Sequence, residues 1–412
     1  QWGEHARVRR KVPMNLLDYL ATEFAPFDEK PFNPVDSAVL SQFCMVRAEG
    51  VVPALRERSS FLDLGTIVEN LLSPTRKAVR FADALRAELY PTMFTGLDPQ
   101  MVKENLLALA ASPRFRDMRV RDYLSLFDTD RQTQFAAMTF VYRKDFAYVG
   151  FRGTDTSFTG WRENFNMAYT APVPAQEQAV RYLQAVAQRA PKRVYVGGHS
   201  KGGNLAVYAA LKAPPAVQRR IERVYSHDGP GFKAGTFAPA DWAPLEGRIH
   251  RTVPQDSVVG LLMESPVLPH VVRSTAKGID QHSVFSWEVA GDDFAYLDGL
   301  TDGAQLADAV LTEWLARFND EEAAVVVDAF FQAVESSGAR DASDLLCGGS
   351  KALALVSEAA KNMDPGARST LLAALKPLTE IVARHLAQGV SVLWPGSRAP
   401  SRPRAAERGE DA

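Results

Sequence analysis

The sequence predicts an α/β fold, with a mostly parallel central sheet flanked by helices, followed by an all-helical C-terminal extension. Three observations lead there. From "FAAMTFVYRKDFAYVGFRG" onward, β-rich runs alternate with amphipathic helices, the order that builds a parallel sheet covered on both faces. One apolar run, "RVYVG", passes through "GGHSKGG" straight into the helical "GNLAVYAALKA". Beyond residue 298 only helical patterning continues.

Taken in order, "QWGEHARVRRKVP" holds a small basic cluster without the apolar core of a secretory signal, and residues 1–13 read as a disordered basic arm. "MNLLDYLATEF" and "NPVDSAVLSQFCMV" read as short helices, and residues 65–126 as mostly helical from three-four spacing in "TIVENLL" and "ENLLALAAS". The two β-rich runs around "RKD" read as a hairpin. "AQEQAVRYLQAVAQRA" is an amphipathic helix with Val180, Leu183 and Val186 on one face. After the serine turn come strands at "RVYSHD", "RIHRTVPQD" and finally "SVFSWEVAG". These bounds give an α/β domain over residues 14–298. A helical region follows over 299–395, then a disordered tail rich in Pro, Arg and Ala over 396–412. Capping patterns at Asn319 and Glu322, and at Asp364 and Pro365, open helices in the C-terminal region.

Charge and cysteine usage exclude several classes. A formal net charge of −2 gives no basic stripe for nucleic acid. Cys44 and Cys347 lie far apart, which makes neither a disulfide framework nor a zinc site and fits a reducing, cytoplasmic compartment. No apolar run is long enough to cross a bilayer.

Gly198-His199-Ser200-Lys201-Gly202 fits G-x-S-x-G between an apolar strand and a helix, the setting that lifts a serine oxygen on a sharp turn. The alternative is a glycine-rich turn with a capping serine. The stretch lacks the Lys-Ser/Thr of a phosphate loop, and "DGPGFKAG" misses the dinucleotide spacing by one residue. A nucleophilic serine needs a base and an orienting acid. His227, His250, His270 and His282 follow Ser200 before the helical region, with His385 in the terminal helix. His282, in the loop "DQHSVFSW", is the favoured base; His250 lies inside a strand, and His270 is the reserve. Asp256, at the carboxyl end of "RIHRTVPQD", is the favoured acid, and Asp228 in "YSHDGPGF" is its rival. The turn Phe151-Arg152-Gly153-Thr154 can face the Lys201 amide across an oxyanion. Phe158, Trp161, Phe165 and Tyr169 form either an apolar rim for an acyl chain or ordinary core; Trp161, Phe158 and His199 are the candidate substrate contacts.

"FRGT" followed by Trp161, then "GGHSKGG", "VPQD" and a late histidine resembles the class 3 (fungal-type) lipase branch of the α/β-hydrolases. "NLLDYL", "GHSKGGNLA", "DGPGF" and "QHSVFSW" are similar to stretches of a bacterial lipase-like family in that branch. The resemblance covers roughly Met14 to Asp293. It implies Ser200 as nucleophile, Asp256 as acid, His282 as base and Thr154 at the oxyanion hole. The expected activity is hydrolysis of lipid or other acyl esters, without metal or cofactor. Trp161 is followed by Asn164 where the lipases carry W-x-x-D. Two other readings stay open: acyl transfer, and an inactive scaffold that binds a protein partner through its C-terminal helices.

Overall fold

A computed structural model describes residues 13–55, 78–336 and 365–387. The arm at 1–12, the tail and Cys347 lie outside the described residues, as do 65–77 of the stretch read as helical. Among the described residues, ten strands and nine longer helices build the fold. Helices α1 (Leu16–Thr22), α2 (Pro34–Phe43) and α3 (Pro99–Ala111) precede β1 (Met118–Asp128), β2 (Thr133–Tyr142) and β3 (Phe146–Phe151). Next come α4 (Phe158–Asn166), α5 (Pro174–Ala187), β4 (Arg193–His199), α6 (Lys201–Lys212), β5 (Ile221–His227), β6 (Ile249–Pro254) and β7 (His270–Val272). A small ribbon of β8 (Val289–Ala290) and β9 (Asp293–Phe294) leads to β10 (Tyr296–Leu297). The chain then enters α7 (Asp302–Leu315), α8 (Asp320–Ser336) and α9 (Pro365–Ala387).

Eight strands form one sheet in the order β1-β2-β3-β4-β5-β6-β7-β10. The pairs from β3 to β7 are parallel, while β1-β2, β2-β3 and β7-β10 are antiparallel. This is the mostly parallel sheet flanked by helices that the sequence predicts. Alternation along the strands splits the core in two. On one face Tyr148, Tyr195 and Tyr225 pack with the aromatic and aliphatic side chains of α1, α2 and α3. On the other, Val149, Val194, Val196 and Val224 meet Ala175, Ala179, Leu183 and Val186 of α5 and the apolar body of α6. The spacing of those α5 residues is the helical i, i+4, i+8, i+11 stripe that a flanking helix needs.

Two local expectations change. Met118–Asp128 is a strand rather than helix, paired with β2; Met118 and Val120 are buried in one core and Leu124 packs against the other, with a register shift where Asp122 takes φ 57°. "SVFSWEVAG" holds a 3-10 turn at Val284–Ser286 and only Val289–Ala290 as strand, outside the main sheet, which β7 and the two-residue β10 complete instead.

A buried ion pair ties the N-terminal helices to the sheet. Arg114 donates from Nε to Asp36 Oδ1 at 2.8 Å and from Nη2 to Asp36 Oδ2 at 2.6 Å. Its remaining donors reach the carbonyls of Ala25, Lys30 and Pro31. Asp36 also accepts from Tyr19 Oη at 2.9 Å and from the Asn33 amide at 3.0 Å. Both side chains are fully buried, so removing one partner strands a charge. Arg114→Met is expected to lower unfolding free energy by roughly 3–5 kcal/mol in urea titration, and Asp36→Leu added to it to restore part of the loss.

Candidate active site

The serine turn is built by close approach of backbone. Strand β4 ends at His199, Ser200 takes φ 58° and ψ −130°, and α6 begins at Lys201. A Cβ on Gly198 would lie 2.3 Å from the Gly202 carbonyl carbon, and one on Gly202 would lie 2.2 Å from the Phe151 oxygen. Only glycine fits either place. Ser200 accepts its strained conformation because its amide donates to the His227 carbonyl at 2.9 Å and the helix begins immediately after it.

His282 stands at the end of a short 3-10 turn and shares a cavity wall with Ser200. Its Nδ1 lies 2.6 Å from Asp228 Oδ2. A carboxylate can only accept there, so the proton sits on Nδ1 and leaves Nε2 as the basic nitrogen. Asp228 is buried, just past β5, at φ 46°. Its second oxygen accepts from Ser257 Oγ at 2.6 Å and from the Gly260 amide at 3.1 Å. Every lone pair facing protein therefore has a donor.

Asp256 is not at the imidazole. Gln281 Nε2 donates to its Oδ2 at 2.6 Å and Thr301 Oγ1 to its Oδ1 at 2.5 Å, while its own amide donates to Gln281 Oε1 at 3.0 Å. The residue anchors the loop before His282 instead of touching the ring. Both aspartates follow strands; the course of residues 276–282 brings the ring to the end of β5, where Asp228 lies.

His199 is packed on His282, with ring centroids 4.6 Å apart. Its Nε2 donates to the His282 carbonyl at 2.7 Å, which fixes the backbone beneath the base. Burial, and next the neighbouring His282 ring, push the His199 imidazolium pKa down to about 3. The reserve base His270 lies elsewhere, stacked on His250 at 4.4 Å beside Tyr296, and His227 is buried between Thr252 and Ser37.

Lys201 is buried, and its ammonium is engaged in an ion pair. Nζ donates to Gln134 O at 2.5 Å, Gln134 Oε1 at 2.8 Å and Glu163 Oε2 at 3.0 Å. Burial lowers its pKa, and Glu163 opposes that shift. Glu163 also accepts the amides of Gln134 and Ala175, both at 3.0 Å. The next residue of α4, Asn164, donates to Thr154 Oγ1 at 2.6 Å. One helix thus holds both the residue after Ser200 and the FRGT turn. The part played by Glu163 is not visible from local sequence pattern, since it depends on tertiary approach.

Ser200, His282, Thr154, Lys201, Trp161 and His199 line one cavity of about 500 Å³. Phe165 and Tyr169 reach it too, whereas Phe158 does not. The far walls come from α7, α8 and α9, including Trp314, Val327, Phe330, Leu371 and Ala374. Among the described residues no cluster of His, Cys, Asp and Glu is arranged to hold a metal ion, and no helix is long and apolar enough to cross a membrane.

Three buried histidines shape the acid response. His199 and His250 are held down to about 3 and His227 is lowered as well, burial being the leading cause in each. Their folded values lie below the unfolded 6.5, so their contribution is complete above pH 6.5 and is lost as pH falls towards about 3. Each adds a slope of about 1.4 kcal/mol per pH unit in that window. Urea midpoints should fall steeply on acidification, and less steeply in His250→Gln; equal slopes would remove His250 from the account.

A family model described as Mbeg1-like matches residues 109–332, which run from α3 to α8. Two solved lipase structures are similar. A fungal lipase–inhibitor complex, described as a model for interfacial activation in lipases, is 16% identical, with 46% of this chain and 75% of that one covered at a TM-score of 0.30. The crystal structure of M37 lipase is 17% identical, with 42% and 68% covered at a TM-score of 0.29. No curated protein matches the chain. With more than half of its residues under the family model, from β1 through the serine turn to α8, the chain belongs to the Mbeg1-like family.

Proposed function

We propose that the protein is a serine hydrolase of carboxylic esters with apolar acyl groups, acting through Ser200, His282 and Asp228. The reading rests above all on the 2.6 Å contact between His282 Nδ1 and Asp228, beside a serine raised on a glycine-bounded turn. His282 Nε2 takes the Ser200 proton as Oγ attacks the ester carbonyl. Asp228 keeps the tautomer and stabilises the imidazolium that results. The amides of Thr154 and Lys201 receive the developing oxyanion, and donors of that kind are worth about 2.7–4 kcal/mol each. His282 then returns the proton to the leaving alcohol. Water, deprotonated by the same nitrogen, resolves the acyl-enzyme. The acid in this reading is Asp228 in place of Asp256.

The substrate class follows from the cavity. Apolar side chains dominate its wall, and its size suits a ligand that buries most of its surface. With Lys201 committed to Glu163, no free cation faces the serine from that side chain, so a neutral ester fits better than an anionic one.

A fluorophosphonate probe read by intact mass tests the assignment. Wild type should take one adduct, and Ser200→Ala none. Asp228→Asn should slow labelling and ester turnover by about 10³–10⁴-fold, as loss of the orienting carboxylate does in triads. Asp256→Ala should cost far less, since its effect passes through Gln281. The reverse ranking of the two aspartates would refute Asp228 as the acid.

A further inference from the structure

The wall opposite Ser200 is not part of the sheet or its flanking helices. Trp314 and Leu315 come from α7, Val327 and Phe330 from α8, and Leu371 and Ala374 from α9. The last of these helices lies beyond the residues the family model covers. Helices α8 and α9 pack on each other through Ala329, Ala333 and Leu371 with Phe330 and Ala367 alongside, while Ala304 of α7 clusters with Val253 and Val271 of the sheet. Trp314 Nε1 donates to the Ala374 carbonyl at 2.8 Å, which locks α7 to α9 across the cavity wall.

The bundle is seated on α4, the helix that holds Lys201 and Thr154. Phe165 stacks on Phe330 with centroids 5.4 Å apart and meets Phe331 edge-on at 5.6 Å. Arg162 pairs with Asp328 and lies over the Phe331 ring at 5.7 Å. A second tie, Lys233 to Asp320 at 2.6 Å, joins the start of α8 to the loop after "DGPGF". The wall is therefore held at a set distance from Ser200 by contacts to the same elements that form the serine site.

We propose that the α7–α8–α9 bundle is the acyl-binding wall of the site and that Phe330, Leu371 and Ala374 determine which chain length fits. The proposal rests on the ester-hydrolase reading above. Side chains of all three helices share the cavity with Ser200, and with Met45, Leu97, Val102, Val259 and Met263 from other elements they give an extended acyl chain an apolar lining. Phe330 and Ala374 act in opposite senses: a larger residue at 374 shortens the space, and a smaller one at 330 lengthens it.

The full chain, Ala374→Leu and Phe330→Ala are compared on p-nitrophenyl butyrate and palmitate, with fluorophosphonate labelling of each. Ala374→Leu should lower the palmitate-to-butyrate ratio of kcat/KM by about tenfold or more, the discrimination that one or a few methylenes supply in an apolar pocket. Phe330→Ala should raise the same ratio. Opposite shifts separate a specificity wall from general destabilisation, which moves both esters together. Should Ala374→Leu fail to fold, Leu375→Trp takes its place, since Leu375 lines the cavity at a more exposed position. An unchanged ratio in labelled, folded variants, or a shift of the same sign in both, overturns the proposal. A wild-type chain that neither labels nor cleaves either ester overturns the hydrolase reading and this proposal with it.

Discussion

The crossing of α6 over the ends of β3 and β4 is the constraint on which the remainder of the site depends. Carbon atoms at Gly198 and Gly202 would collide with main chain at 2.3 and 2.2 Å, so the helix can sit this low only where side chains are absent. Its height sets where the Lys201 amide points and where Ser200 emerges. It also sets the reach of the Lys201 side chain, which arrives at Glu163 on α4. A helix seated higher would move the serine and its neighbouring amide together and strand the buried ammonium.

Polar groups around the turn are satisfied in a way that fixes positions. The Asp228 carboxylate divides its oxygens between His282 on one side and Ser257 with Gly260 on the other. Asp256 holds Gln281, and Gln281 in turn donates to the Ala276 carbonyl, so the loop carrying the imidazole is pinned one residue before the ring. His199 pins the carbonyl of His282 itself. Desolvated groups of this kind cost free energy if left unpaired, so the loop has few alternative arrangements of comparable energy.

The order of strands and helices from β2 to β6 was legible because apolar runs and helical stripes there are uninterrupted. Strand β1 was not: Arg119, Arg121 and Asp122 break its apolar run, and the strand is recognised only once β2 is beside it. The serine turn announced itself through glycines whose absence of side chain the packing demands. Strand-end position favoured Asp256 over Asp228, but both follow strands, and which carboxylate meets the imidazole depends on how a distant loop folds back. The cavity wall was illegible for a related reason. Amphipathic helices after residue 298 state that one face is covered, but a stripe of Val, Phe and Ala does not say by what.

Helix α2 has nine of its ten residues buried, and its Ser37 hydroxyl meets Tyr148 at 3.1 Å and His227, 190 residues later, at 2.9 Å. A chain leaving the ribosome from its N-terminal end presents this helix long before the strands that cover it have been made. Its surface is built for contact with those strands and with helices α1 and α3. It must therefore wait in water or in the grip of a chaperone until β5 emerges, and completion of the sheet, rather than formation of the helix, sets the moment at which the N-terminal segment becomes safe from aggregation.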